Sequence, residues 1–502
     1  MGDNSLKTRI CQPIDVNSID CLAFKEFKDS VLDGFLKGFR AAAFFGLPAD
    51  NGQVRLIMIL ACDRQGYLRI LSTMVKDSYP CLTTQAPQVH LFEREIFEQL
   101  GVYPKGHPWL KPVRSHVPYQ PQTVTAGGRD SLLGVDFFKV QGMETHEVGV
   151  GPVHAGIIEP GHFRFQCHGE QVLHLEVLLG YQHRGIESML FTKDASPAIH
   201  YMETAAGDTS IGHCLAYCQA IEALSACEVP LRAQVIRAVM LELERLANHT
   251  GDLGAMAADI GYLPASSYCG RLRGDLLNMT ALVCGNRFGR NIIRPGGSAF
   301  DIDEPIRTEI RKRLKSVFSD VSNAVSLMWS SPMVVDRFDE TGFVSQQTAV
   351  ELGLVGVSAR ACGIERDARF DFPAGAFRFF HIPPSNYSSG DVFARAFVRW
   401  LEIQRSVEFI LERLRCLPKG PIMSDMPPIK NGKAVVSLVE GWRGEICHFA
   451  LSGEKGGIVN YKITDPSFHN WTGLAVACRG EEISNFPLCN KSFNLSYCGH
   501  DL

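Results

Sequence analysis

No run of 18 or more apolar residues occurs in this 502-residue chain, and its first ten residues, MGDNSLKTRI, contain no apolar signal core. A membrane-crossing helix needs about 20 such residues and a secretory signal needs a hydrophobic centre, so a cytoplasmic chain that reaches a membrane only through other subunits is expected. Runs of Lys and Arg are missing too, and the formal net charge is only -4. That removes the electrostatic footprint of a DNA- or RNA-binding protein. No Walker A sequence, no strand-GxGxxG-helix pattern and no HExxH occurs, so nucleotide binding by the chain itself has no motif behind it. Sixteen cysteines are present, but none stands in a CxxC pair. Their scatter reads as reduced thiols rather than a disulfide framework. Cys214 and Cys218 share one face of a predicted helix, yet two thiolates do not complete a tetrahedral site, and burial as small side chains is expected of them. Internal repeats and low-complexity tracts are absent as well.

What is present is ordinary core material. Hydrophobic residues make up 45% and aromatics 9% of the chain, enough for two or more buried cores at this length. Apolar, β-branched runs at 54–61 and 67–74, separated by Asp63-Arg64-Gln65-Gly66, predict a hairpin, and Leu91, Phe92, Ile96, Phe97 and Leu100 recur at helical spacing within 89–100. Residues 1–114 therefore read as a small α+β domain. Residues 115–134 are rich in Pro, Gly, Ser and Thr and read as a linker, a hinge between two independently packed domains. Residues 135–502 read as a second domain. It starts with a short β region at 138–179, continues with amphipathic helices at 211–224, 231–256, 305–328 and 392–417, and ends in strands at 434–439 and 446–451 around Gly441-Trp442-Arg443-Gly444. The apolar helix stripes are assigned to core.

Two stretches carry a resemblance. GPVHAGIIEPGHFRF at 151–165, followed by LLGYQHRGIE at 178–187, resembles the opening of the large subunit of membrane-bound nickel-iron hydrogenases of the hydrogenase-4 and formate hydrogenlyase type, and of the homologous quinone-site subunit of complex I. Residues 79–114, with Glu93-Arg94-Glu95, Leu100-Gly101 and Gly106-His107-Pro108, resemble the complex I peripheral subunit that sits beside it. The resemblance implies two ancestral subunits fused in one chain. The implied fold is an α+β N-terminal domain, then a mainly α-helical hydrogenase-large-subunit-like domain with short β-sheets at its start and end.

The same resemblance implies a site. The four cysteine ligands of the nickel-iron centre would fall on Ala206, Thr209, Ser496 and Gly499. Nickel and iron need soft thiolate donors there, so neither a metal nor any other cofactor is expected on this chain, and the iron-sulfur cluster is expected in a partner. The quinone-binding tyrosine and histidine of complex I would fall on Gly207 and Pro160, with His162 two residues on. Glu187, in His183-Arg184-Gly185-Ile186-Glu187, is the first candidate for proton transfer, because a partly buried carboxylate has its pKa moved toward neutrality. Arg443, in Glu440-Gly441-Trp442-Arg443-Gly444-Glu445, resembles the arginine that overhangs the cavity in hydrogenases and suits an anionic substrate. Asp208 is the third catalytic candidate; His154, His162 and Arg184 are assigned to a quinone or acceptor cavity. The Arg360–Arg369 segment and Glu242-Leu243-Glu244-Arg245 match family segments and read as buried charge networks and structure. The implied function is that of a subunit of a hydrogenase-4-like or NADH-quinone oxidoreductase-like complex on the inner face of the cell membrane. It would pass electrons from a small iron-sulfur subunit to a quinone or other acceptor, beside antiporter-like membrane subunits and other complex I-like subunits, with any NAD link made elsewhere in the complex. The alternative is a redox-inactive subunit that couples its partners structurally.

Overall fold

The computed structural model describes residues 6–115, 137–156, 158–190, 198–454 and 456–502. The chain opens with β1 (Leu6–Thr8), β2 (Ile14–Asp15), β3 (Cys21–Leu22), α1 (Phe24–Leu36), β4 (Arg40–Pro48), β5 (Val54–Cys62), β6 (Tyr67–Val75) and α2 (His90–Leu100). β5 and β6 form the expected hairpin, in unbroken register from Val54↔Val75 to Cys62↔Tyr67. Its turn closes on Gly66, whose φ of 62° is a left-handed conformation that a residue without Cβ adopts cheaply. The sheet runs β1-β6-β5-β4, and β3 joins β6 in parallel.

A three-stranded sheet, β7 (Thr145–Val150), β8 (His162–His168) and β9 (Gln171–Leu178), follows with β8 in the middle. Helices then dominate: α3 (Ala198–Ala205), α4 (Ser210–Ser225), α5 (Leu231–Asp259), α6 (Leu263–Cys284), α7 (Glu304–Trp329) and α8 (Val392–Arg415). α4 is buried on nearly every side, as expected of a helix apolar all round, and α5 packs between α6 and α8. The chain closes with β10 (Lys433–Glu440), β11 (Glu445–Ser452), β12 (Ile458–Thr464), α9 (Pro466–Ala477) and α10 (Tyr497–Asp501). Among the described residues no helix is long and apolar enough to cross a membrane.

The first 114 residues and the C-terminal strands are packed together. β2 leaves the first sheet and pairs with β10, Ile14 opposite Ala434, so the C-terminal sheet runs β12-β11-β10-β2. The two sheets also share a core. One face of the first sheet carries Phe44, Leu56 and Met58 onto Phe27 of α1 and Phe92 of α2. The opposite face carries Phe45, Ile57 and Ile59 onto Val436 and Phe449, and the rings of Phe45 and Phe449 lie 4.9 Å apart. Both faces of β4 and β5 are thus apolar, and each must be covered. The linker assigned to 115–134 lies, beyond Ser115, outside the described residues.

A buried charge network fixes the β10–β11 turn. Arg245 pairs with Glu242 at 3.1 Å and Glu402 at 3.0 Å, and donates to the carbonyls of Glu440 at 2.7 Å and Gly441 at 3.1 Å. Arg360 pairs with Glu402 at 2.5 Å and Glu440 at 2.7 Å, while Arg369 pairs with Asp367 and Glu242. Each charge sits among opposite charges and backbone acceptors, which is what burial of so many ions demands. The Arg360–Arg369 segment is therefore structural here, as read from the sequence.

Candidate functional site

Asp208 lies in the turn between α3 and α4, and Arg443 on the tip of the clamped β10–β11 turn. Their side chains meet in a two-pronged ion pair, Nη1 to Oδ1 at 2.6 Å and Nη2 to Oδ2 at 2.8 Å. Such bidentate pairing fixes orientation as well as charge. The Asp208 side chain is 33% exposed and that of Arg443 only 5%, so the carboxylate faces outward on a buried guanidinium. Burial alone would raise the Asp208 pKa, but the Arg443 charge holds it below the ordinary value. Trp442 Nε1 and Asn248 Nδ2 both donate to the Asp208 carbonyl, at 3.0 and 2.9 Å, and Arg443 Nε donates to the Asn494 carbonyl. The guanidinium carbon stands 3.9 Å over the Trp442 ring, which gives the arginine a stacking surface.

The residues at the four expected ligand positions are engaged with one another or with their surroundings. Ala206 is buried, and the Thr209 hydroxyl lies 3.2 Å from Arg443 Nη1 and 3.3 Å from Asp208 Oδ1. Ser496 caps α10 by accepting from the Gly499 N–H at 2.9 Å. A Cβ on Gly499 would stand 2.7 Å from the Asp465 carboxylate, which fills that space. Among the described residues no group of three or more His, Cys, Asp or Glu side chains is arranged to hold a metal. Cys214 and Cys218 are both buried in α4, and burial raises their thiol pKa values.

Other sequence-assigned residues surround this centre in different roles. Arg184 spends its guanidinium on carbonyls, donating to Thr204, to Ala205 at 3.0 Å and to Cys498 at 3.2 Å. It braces the end of α3 against α10. Glu187 accepts from the Ile463 N–H at 2.8 Å and pairs with Lys462 at 3.1 Å, and Lys462 reaches on to Glu95 at 2.7 Å. Glu95 also pairs with Arg114, whose Nε donates to the His500 carbonyl at 3.0 Å. The structure thus places Glu187 in the ion cluster that joins the first 114 residues to the rest, not in the Asp208–Arg443 pair. His154 lies on the β7–β8 connection and His162 opens β8, with ring nitrogens against the carbonyls of Gly161 at 2.9 Å and Gly151 at 3.2 Å. That connection reaches the site through Glu159, which accepts from the Tyr497 N–H at 3.1 Å.

One group that the sequence reading left structural stands at the centre. Glu244, on α5, accepts from the N–H groups of Ile211 at 2.7 Å and Gly212 at 3.3 Å. Burial, reinforced by the Asp208 charge and opposed by those two N–H groups, pushes its carboxyl up to about 8. A folded-state pKa above the ordinary carboxyl value means that unfolding releases the proton across that window, so the Glu244 contribution to stability is present at acid pH and is lost as pH rises toward 8. Glu244→Gln copies the neutral acid and should remove this dependence. The stability advantage of the variant should grow from about pH 5 to pH 8, by at most ~1.4 kcal/mol per pH unit, and its melting temperature should rise relative to wild type in step. A constant offset between the two melting curves would contradict it.

A separate cavity of about 420 Å³, lined by Cys11, Gln219, Glu222, Arg237 and Phe377 among others, opens near the C-terminal end of α4. None of the assigned residues lines it.

Residues 259–434 match the family model described as the respiratory-chain NADH dehydrogenase 49 Kd subunit. The chain is 30% identical to the carbon monoxide-induced hydrogenase of Rhodospirillum rubrum, over 70% of its own length and 98% of that protein. It is 31% identical to NADH-quinone oxidoreductase subunit 4 of Thermus thermophilus, over 68% of its length and 90% of that subunit. It is 28% identical to hydrogenase-4 component G of Escherichia coli, over 84% of its length and 75% of that component. With a helical core, a β10–β11 turn carrying an arginine and near-complete coverage of such relatives, the chain belongs to the family that unites the complex I 49-kDa subunit with the nickel-iron hydrogenase large subunits.

Proposed function

We propose that this chain is the large subunit of a membrane-associated, complex I-like or hydrogenase-4-like oxidoreductase that works without a nickel-iron centre. In this reading it takes electrons from an iron-sulfur partner and passes them to a quinone or another acceptor held at Asp208–Arg443. The observation that carries it is the Asp208–Arg443 ion pair beside the positions where the resemblance would put the four ligands. Ala206 and Gly499 offer no donor, Thr209 and Ser496 are hydroxyls already bonded, and Asp465 fills the space of the fourth side chain. These residues do not fit a nickel-iron pair, whose metals require soft thiolates. What remains is a buried guanidinium behind a partly exposed carboxylate, suited to stabilise negative charge developing on an acceptor oxygen. His154 and His162 would flank the entrance; Arg184 and Glu187 would hold the walls. The fused peripheral domain at 1–114, tied on through Glu95 and Arg114, would replace a separate subunit. Antiporter-like membrane subunits and other complex I-like subunits would complete the assembly on the cytoplasmic face of the membrane.

The complex, purified with its iron-sulfur partner and chemically reduced, is the material for the test. Addition of a water-soluble quinone analogue should reoxidise the cluster while elemental analysis finds nickel far below one per chain. One nickel per chain would overturn the reading of the site. A cluster that stays reduced would leave the chain a redox-inactive coupling subunit, in line with the bracing roles of Arg184 and Glu187.

A further inference from the structure

Four buried side chains from four elements form an unbroken row beside the ion pair. His213 of α4 sets Nε2 3.0 Å from Asp465 Oδ2 and Nδ1 3.1 Å from His448 Nε2, and His448 Nδ1 lies 2.8 Å from the Tyr461 hydroxyl. His213, His448, Tyr461 and Asp465 are each no more than 2% exposed. We propose that this row holds and delivers a proton for the acceptor site, with Asp465, in the space where a side chain at position 499 would project, as its outlet.

The hydrogen positions follow from counting. An ionised Asp465 only accepts, so His213 Nε2 carries the hydrogen between them. His213 Nδ1 must then accept from His448 Nε2–H, and His448 Nδ1 from the Tyr461 O–H. All three hydrogens point toward Asp465. Its second oxygen is already occupied by the Ser467 N–H at 2.7 Å. Burial alone would raise the Asp465 pKa, but His213 and Arg443 hold it below the ordinary value, and burial with the neighbouring His213 keeps His448 well below its own. In this arrangement the row is a carboxylate followed by two imidazoles with one hydrogen each and a phenol. One added proton, shared by the imidazoles, faces Asp465 as an ion pair. The other groups around the row are Tyr217, Cys214 and Cys218 on α4, Cys447 on β11, Lys462 on β12, Glu244 on α5, His469 on α9 and Arg443 on the β10–β11 turn.

This inference rests on the proposed acceptor chemistry. Two electrons from the partner's iron-sulfur cluster reduce the acceptor, and the loaded row passes its one proton from His213 Nε2 to Asp465 and on to an acceptor oxygen, leaving Asp465 an anion again. The second proton of a hydroquinone comes from solvent, and the imidazole pair reloads from solvent protons before the next turnover. No other bond is made or broken.

The test follows turnover of the intact complex with a water-soluble quinone analogue from about pH 4 to 9, a range that reaches well below the ordinary imidazole value. Wild-type kcat should fall as rising pH unloads the row. His448→Gln keeps hydrogen-bonding groups but cannot titrate, and should move that falling limb by about one pH unit or more with KM unchanged. Tyr461→Phe, a smaller change that keeps the ring, should move it in part. A uniform drop in kcat at every pH, with the limb in place for both variants, would overturn the proposal. If the wild-type complex reduces no acceptor, the function proposed above fails separately. The row is then read by infrared difference spectra between acid and alkaline pH, taken on the full chain with isotope-labelled histidine. A buried imidazole titration lost in His448→Gln supports the row, and spectra identical in both proteins refute it.

Discussion

Glu402→Gln is expected to cost about 3–5 kcal/mol of stability, the usual penalty for removing one partner from a buried ion cluster. Glu402 sits under three cations or donors, Arg360 at 2.5 Å, Arg245 at 3.0 Å and His249 at 2.8 Å. Burial would raise its pKa, yet Arg360 and Arg245 hold it well below the ordinary carboxyl value. A depressed folded-state pKa contributes stability above the unfolded value and loses it as pH falls. The wild-type melting temperature should therefore drop through the acid range below about pH 4.5 more steeply than that of the variant. Glu408→Gln, on the same helix but exposed, is the control and should stay within about 0.5 kcal/mol of wild type. Equal melting of the two variants at neutral pH would show that the network adds nothing.

Arg443→Ala should lower acceptor reduction by the intact complex by about 10²–10³-fold, the scale seen when one preorganised charge-stabilising donor is removed. Its target is the rate rather than assembly, because the turn that carries it is held by Arg245 through the carbonyls of Glu440 and Gly441. Arg443→Lys should recover only part of the loss, since an ammonium cannot reproduce the two-pronged contact with Asp208. Turnover that survives Arg443→Ala, in a complex whose composition is unchanged, would remove the ion pair from the reaction.

The long helices legible in the sequence were three with one apolar stripe and α4, which is apolar nearly all round. α5, α7 and α8 begin within a residue of their expected starts. β4 escaped because RAAAFFGLP does not alternate, and it does not alternate because both of its faces are covered. α6 escaped because Ser, Gly and Arg interrupt its pattern, with only one side of the helix buried. At the site, Asp208 and Arg443 could each be named from a resemblance, but their contact joins residues 235 positions apart and nothing local signals it. His213, His448 and Asp465 were less legible still. Each looks in sequence like an isolated polar residue inside an apolar stretch, and only the packing of α4 on β11 shows that they meet. Glu187 was legible as a buried carboxylate, whereas its partner Lys462 came from a strand that the sequence reading had not assigned.

The pairing of β2 with β10 also orders events during synthesis. Ile14 waits for Ala434, and Phe45 waits for Phe449, so the second apolar face of the first sheet stays uncovered until some 400 residues have followed it from the ribosome. At about 5–20 residues per second that interval is roughly 20–80 s, far longer than the microseconds a hairpin needs to form. A nascent chain stalled before β10 should therefore bind holdase chaperones through Phe45, Ile57 and Ile59, and should release them when β11 emerges.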